Sequence, residues 1–330
     1  SEDIRLEIVN RIKMMSGMDL SQRRFPQDGK ISRTIESMGN REIEMRVSCV
    51  PSQWGEAVTI RIFDVLAMES ISISDLGFSL TDLKLFDSFI QKPNGTIIAS
   101  GPTGSGKMTT LYATLKKLSS TELKIITIED PVEYQINRVT QIEVNPEIGL
   151  TFPVGIRHIM RQDPDIVLVS ELRDYETAEM IIHTALTGHL VFTTLHTNDA
   201  PGAITRLIDM GVEPFLIGSS LILVTAQRLV RKLCPNCKAP IELSDATLEL
   251  LSKNNVDISA KSTLTLFKAV GCSECRGTGM RGRIGIFELM PIDDDIRECM
   301  VRGITSGKIH EVARRKGMRS MREDGMQKVA

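Results

Sequence analysis

No stretch of this 330-residue sequence stays apolar for long enough to cross a bilayer. The nearest approach, Phe215 to Ala226, is interrupted by Gly218, Ser219 and Ser220 and falls short of the roughly 20 residues a spanning helix needs. No signal-peptide pattern, internal repeat or low-complexity tract is visible. Excess charge is also missing: 40 Lys and Arg against 42 Asp and Glu leave a net charge of −2, which argues against an obligate nucleic-acid binder. Cysteine is scarce, at six, and four of the six stand in two Cys-x-x-Cys pairs, a usage that suits a reducing compartment and a metal better than disulfides. Marked ends are absent too. The sequence opens in a polar, helix-like segment and stops at Lys328-Val329-Ala330, so it is expected to be a fragment of something longer. What remains is an ordinary globular composition, 42% apolar and 25% charged, with length enough for two or three domains.

The most informative stretch runs from Ile97 to Thr110. An apolar, β-prone segment leads through Gly101, Pro102, Thr103, Gly104, Ser105 and Gly106 to Lys107, Met108 and Thr109, and then into helix-forming residues. This is the strand, loop and helix of a phosphate-binding P-loop. Glycines let successive backbone N–H groups curl around an anion, the helix points its positive end at the same place, and Lys107 adds a mobile ammonium. Met108 departs from the pattern, which places a Ser or Thr hydroxyl after the lysine as a hard oxygen ligand for Mg²⁺.

Before this loop, Ile4, Ile8, Ile12 and Met15 fall at helical spacing, which predicts an amphipathic helix over Glu2 to Met15. Asp28-Gly29 and Met38-Gly39-Asn40 read as turns, and Ile43 to Cys49 and Val58 to Ile62 alternate as strands of a small antiparallel sheet. Arg46 and Arg61 lie on its polar face, either solvated or offered to an anionic partner. From residue 81 onward strands and helices alternate, which predicts a mainly parallel sheet covered on both faces, with candidate site residues at the carboxyl ends of its strands. Phe215 to Lys232 reads as one long buried helix. The expected division is an N-terminal sheet domain at 1–66, a linker at 67–80, a P-loop core at 81–230, a cysteine module at 231–290 and C-terminal helices at 291–330.

Four clusters carry chemistry. Ile166 to Val169 is an apolar strand that delivers Glu171 at its exit, suited to the magnesium shell or the attacking water. Glu129, Asp130 and Glu133 follow another strand, and three carboxylates so close repel one another unless a cation or a donor holds them. His189 and His196 bracket a strand and are either capping residues or sensors of a γ-phosphate. Cys234, Cys237, Cys272 and Cys275 make a four-thiolate set for structural tetrahedral zinc, with unrelated free thiols as the alternative.

Taken together these segments resemble the secretion ATPases of type II secretion and type IV pilus assembly. Ser100 to Lys107 resembles that family's Walker A, Thr127 to Tyr134 its aspartate box, Arg161 to Asp174 its Walker B region, and Leu186 to Asn198 its histidine box. The cysteines, with Gly279 to Leu289, resemble the zinc module of assembly-type members. The resemblance implies a RecA-like core, a PAS-like N-terminal domain and a C-terminal zinc-binding and helical lobe. It also implies a homohexameric cytoplasmic ATPase using ATP, Mg²⁺ and Zn²⁺, peripheral to the inner membrane, whose partners are cytoplasmic domains of the membrane platform. Arg46 and Arg61 match arginines lent across a subunit boundary, whereas Ala57, Ser170 and Met108 depart from the family pattern. The rivals are a nucleic-acid transport motor and a non-hydrolysing nucleotide-binding ring component.

Overall fold

The computed structural model describes residues 2–36, 41–256 and 265–329. The chain forms two compact units, 1–71 and 72–330.

In the first unit, helix α1 (Glu2–Met15) precedes a meander of β1 (Gln27–Ile35), β2 (Arg41–Ser52) and β3 (Gly55–Asp64), antiparallel in that order, followed by α2 (Val65–Ser70). Val9, Met18, Ile31, Val47 and Cys49 form its core, with Ile12, Met15, Met45 and Val58 packed against them. Two expectations fail here. Ile4 and Ile8 are exposed, and the face that α1 buries carries Val9, Lys13 and Ser16 instead. The Lys13 ammonium is satisfied by the Glu56 carboxylate and the Gln22 carbonyl, each at 2.7 Å, which explains how a charge can replace an isoleucine there. Asp28-Gly29 is not a turn but the second and third residues of β1. Glycine is needed there for close approach, since a Cβ on Gly29 would sit 2.3 Å from the Ser16 carbonyl oxygen. The turn expected at Met38 to Asn40 lies outside the described residues.

The second unit is built on a seven-stranded sheet. In chain order its elements are α3 (Leu80–Ile90), β4 (Gly95–Ser100), α4 (Lys107–Leu118), β5 (Ile125–Glu129), β6 (Val139–Glu143), α5 (Phe152–Ile159), β7 (Ile166–Val169), α6 (Tyr175–Leu186), β8 (Leu190–Leu195), α7 (Ala200–Asp209), α8 (Pro214–Ser220) and β9 (Leu221–Leu233). After β9 come β10 (Ala239–Ile241), α9 (Asp245–Lys253), β11 (Leu266–Lys268), β12 (Met280–Pro291), α10 (Asp294–Val301), α11 (Ser306–Arg315) and α12 (Met321–Val329). The sheet order is β12-β9-β4-β8-β7-β5-β6, parallel throughout except for β12, which pairs antiparallel with β9. Strands β4, β5, β7 and β8 are buried on both faces, as a parallel sheet covered by helices requires. Ile98, Val167, Val169, Val191, Leu195 and Val224 are among the residues of the large core.

The long helix expected over Phe215 to Lys232 is a seven-residue helix followed by a thirteen-residue strand. Ser219 and Ser220 turn their hydroxyls back to the carbonyls of Phe215 and Leu216, at 2.7 and 2.8 Å, where α8 ends. Leu221 to Ala226 then enters the sheet beside β4. A continuous apolar run has no period to separate a buried strand from a buried helix, which is why the sequence misleads at this point. The segment around Gly285, expected inside the cysteine module, is edge strand β12 of the main sheet.

Candidate active site and metal centre

Three neighbouring strands end together. β4 runs into the P-loop, β8 into His196 and β7 into Glu171. The loop is folded tightly enough that a Cβ on Gly101, whose φ is 149°, would lie 2.5 Å from the Gln227 backbone oxygen and 2.6 Å from Ser105 Oγ. Lys107 is buried, and its Nζ donates to the carbonyls of Gly101 at 2.7 Å and Pro102 at 3.2 Å. Burial pulls the Lys107 pKa below that of an ordinary lysine, and the Glu171 carboxylate acts in the opposite direction. Met108 and Thr109 are half-buried on the first turn of α4.

Glu171 is held from both sides. Arg173 donates to it from Nε at 2.9 Å and Nη2 at 2.8 Å, and His196 Nε2 lies 3.3 Å from its other oxygen. Burial works to raise its pKa, but Arg173, His196 and Lys107 outweigh that and hold it below the usual carboxylate range. Glu171, Leu172, Arg173, Leu195, His196 and Arg206 line a cleft of about 300 Å³. A carboxylate kept ionised beside an imidazole and a mobile ammonium can orient water against a bound phosphate.

The acidic loop does not converge. Glu129 is fully buried and accepts from the Tyr112 hydroxyl, Thr127 Oγ1 and, at 3.2 Å, Gln141 Nε2. Burial raises its pKa despite those donors. Asp130 instead pairs with Arg173 Nη1 at 3.0 Å, and the Glu133 N–H donates to the Tyr112 hydroxyl at 3.0 Å. The repulsion noted in the sequence is thus relieved for Glu129 and Asp130 by separate protein donors.

The histidines also part company. His196 reaches Glu171, whereas His189 precedes β8 at the amino end of that strand, its Nδ1 3.0 Å from the Thr184 carbonyl oxygen and 3.2 Å from Thr187 Oγ1. Six residues of β8 separate them, about 20 Å of strand, so the expectation that every candidate lies at a carboxyl strand end fails for His189. Arg46 and Arg61 oppose each other directly across β2 and β3 in the first unit. Arg46 lies 3.6 Å from Glu44 and 4.8 Å from the Phe63 ring centre, while Arg61 is exposed.

Sequence reasoning missed three anchors because it had β9 and β12 wrong. Gln227 Nε2 donates to the Ser105 carbonyl at 2.9 Å, Arg228 Nη2 to Asn198 Oδ1 at 3.1 Å, and the buried Glu288 accepts the Ala200 N–H at 2.9 Å. These bonds tie the P-loop and the loop after β8 to the β9–β12 pair. The buried polar residues Gln227 and Glu288 inside otherwise apolar runs were the available signal.

At the far end of the same pair of strands the four cysteines meet. Their sulfurs all lie within 4.8 Å of one another, with Cys234–Cys272 at 3.9 Å, Cys237–Cys275 at 3.8 Å and Cys272–Cys275 at 3.7 Å. Sulfurs at about 2.3 Å from a tetrahedral zinc stand roughly 3.8 Å apart, so the donor set fits that ion. The N–H groups of Gly271, Cys272 and Gly279 point at the sulfurs, at 3.3, 3.1 and 3.2 Å. Burial opposes ionisation of Cys275, but the Cys272 and Gly279 amides outweigh it and bring the thiol down to about 6.

A family model described as "Type II/IV secretion system protein" matches residues 2–330. The Type II secretion system protein E of Pseudomonas aeruginosa is 48% identical over 322 residues, covering 98% of this chain and 62% of that protein. The Type IV pilus assembly ATPase PilB of Myxococcus xanthus is 43% identical over 326 residues, 99% of this chain and 57% of that one. The chain therefore spans about three-fifths of the length of these relatives. Among solved structures, the pilus retraction motor PilT with bound ADP superposes with a TM-score of 0.61 at 26% identity, covering 91% of this chain and 72% of that chain. On its sequence, its sheet and its P-loop, this chain belongs to the type II/IV secretion system protein family.

Proposed function

We propose that this chain is the motor region of an ATP-hydrolysing enzyme that powers pseudopilus or pilus assembly. The observation that carries the reading is the meeting of Lys107, Glu171 and His196 at the carboxyl ends of three adjacent strands. The backbone amides from Gly101 to Gly106 and the Lys107 ammonium hold the phosphates. Glu171, fixed by Arg173 and His196, orients the attacking water. Magnesium supplies neutralisation of charge on the β- and γ-phosphates. Met108 would offer that ion only a soft thioether where the usual hydroxyl is a hard oxygen ligand, so its hold would fall to water and the nucleotide. Glu129 acts from within the core by fixing Tyr112 of α4.

Zinc in the four-cysteine site is structural, since four thiolates leave no open coordination position. The working form is a homohexamer in the cytoplasm, docked on the cytoplasmic domains of inner-membrane platform proteins. In that ring Arg46 and Arg61 complete a neighbour's site. Mixing Arg61→Ala with Lys107→Ala subunits should then restore part of the lost activity, and assembled rings that show no rescue at any ratio count against the assignment.

Steady-state ATPase measurements on the full-length protein, with Lys107→Ala and Glu171→Gln beside it, test the motor. Both variants should lose turnover, and only the first should also lose nucleotide. A wild-type protein that binds ATP without turning it over would replace the motor with a non-hydrolysing ring component.

A further inference from the structure

Gln227 is a polar residue in an unusual place. It is 1% exposed, and it is the last residue of the continuously buried half of β9, after Leu223, Val224 and Ala226. Its Nε2 reaches across 122 residues of sequence to donate to the Ser105 carbonyl at 2.9 Å. Among the described residues its Oε1 has no partner. The amide cannot gain by turning over, because that would set its oxygen against the Ser105 oxygen. The buried half of β9 is otherwise mostly apolar, Thr225 being its other polar residue, and a half-satisfied buried amide is kept for the bond it does make.

That bond acts on the phosphate loop. A peptide unit is planar and trans, so its C=O and N–H point in opposite directions. Drawing the Ser105 carbonyl towards β9 therefore turns the Gly106 N–H away from β9, into the basin enclosed by the loop. The strand touches the loop at two further points. The Gln227 backbone oxygen lies 2.5 Å from the position of a Gly101 Cβ, and the Leu229 methyl carbons lie 3.4 and 3.5 Å from that of a Gly106 Cβ. The loop is thus seated against β9 at its two ends, Gly101 and Ser105–Gly106, and the Gln227 side chain supplies the one directional contact among these three.

We infer that Gln227 is a positioning residue of the nucleotide site, aiming the Gly106 N–H at a bound phosphate by holding the Ser105 carbonyl. The inference rests on the nucleotide-binding reading above. Two near-isosteric variants test it in the full-length protein. Gln227→Met and Gln227→Leu both keep roughly the volume and remove the donor to the Ser105 carbonyl. Both should bind MgADP about tenfold more weakly than wild type in calorimetry, with nucleotide-free melting temperatures close to wild type. A packing role predicts normal affinity for Gln227→Met, and that result overturns the inference.

Should Gln227→Met not fold, Gln227→Leu decides alone, since unchanged MgADP affinity in it is equally fatal. If wild type itself fails to bind MgADP, the nucleotide reading falls, and the tie is then read from amide hydrogen exchange at Ser105, Gly106 and Lys107. Faster exchange in the variants upholds the tie, and identical exchange sinks it.

Discussion

The four-cysteine centre and the acidic loop after β5 look alike in the sequence, since each packs like-charged or metal-binding groups into a few residues. In space they behave in opposite ways. The four sulfurs converge to within 4.8 Å, while Glu129 and Asp130 diverge to separate protein donors. Local geometry makes the difference. Each Cys-x-x-Cys closes a tight turn, Cys234 to Cys237 and Cys272 to Cys275, that brings both thiols to one side. Glu129 is the last residue of a strand, and successive strand residues point to opposite faces, so Glu129 enters the core while Asp130 emerges beside Arg173. Closeness along the chain predicts a shared ligand only where the backbone turns.

The largest effect should come from breaking the convergent centre. Cys272→Ser, or chelation, should release one zinc per chain, as metal analysis after gel filtration can read, and destabilise that lobe by several kcal/mol, a share of the ~10–16 kcal/mol typical of structural zinc. A metal-free protein that keeps the melting temperature of wild type would remove the contrast between the two clusters.

Next comes the magnesium question that the divergent loop leaves open. With no carboxylate cage to compensate, the missing hydroxyl at Met108 should matter to turnover. Met108→Ser should raise kcat in the assembled ring by up to roughly a hundredfold, about 3 kcal/mol in the transition state, with little change in ATP affinity. An unchanged kcat would mean that the ion is already held by other groups.

Glu129 sharpens the comparison from the other side. Glu129→Ala should cost about 1–3 kcal/mol of stability, because it leaves the Tyr112 and Thr127 hydroxyls without their acceptor. Glu129→Gln should cost less and change the pH dependence. The folded pKa lies above the ordinary value of 4.5, so in the window between them the native state binds the extra proton and stability falls as pH rises. The glutamine variant lacks that loss and should gain on wild type as pH climbs through the window, as parallel chemical denaturation series would measure. A constant difference at all pH values would contradict the buried placement.

The smallest effect belongs to Arg173→Ala. Its pairs with Glu171 and Asp130 are half-exposed, which limits the stability change to under about 1 kcal/mol. The Glu171 pKa is depressed, so the stability it contributes is present above the unfolded value and is lost as pH falls through the folded one. Removing Arg173 should move that acid limb upward towards the ordinary carboxylate range.

The sequence was most legible where several signals agreed. β4, β5, β7 and β8 combine apolar runs with turn residues and helix-forming segments, and each lies within a residue or so of its expected place. The P-loop and the tetracysteine set carry their own geometry in their spacing. Elsewhere a single signal had two meanings. Leu221 to Ala226 is apolar on both faces, Asp28-Gly29 suits a turn or a strand under a close contact, and Ile4 and Ile8 obey the helical period on a face left to solvent. Of the candidate site, Lys107, Glu171 and His196 came together as the strand order requires. His189 did not, because a strand bracketed by two histidines puts them at its opposite ends. Gln227, Arg228 and Glu288 were hidden by the misassigned helix, since long-range bonds cannot be read without knowing which strands adjoin.

Strand β9 has thirteen residues, of which the first seven are largely buried and the last six continue, paired with β12, to Cys234. Gln227 and the metal-binding tip therefore stand about 20 Å apart on one two-stranded ribbon. At its inner end the ribbon fastens the Ser105 carbonyl, and at its outer end it carries the cysteine turns, so the phosphate loop and the cysteine lobe share one continuous stretch of backbone.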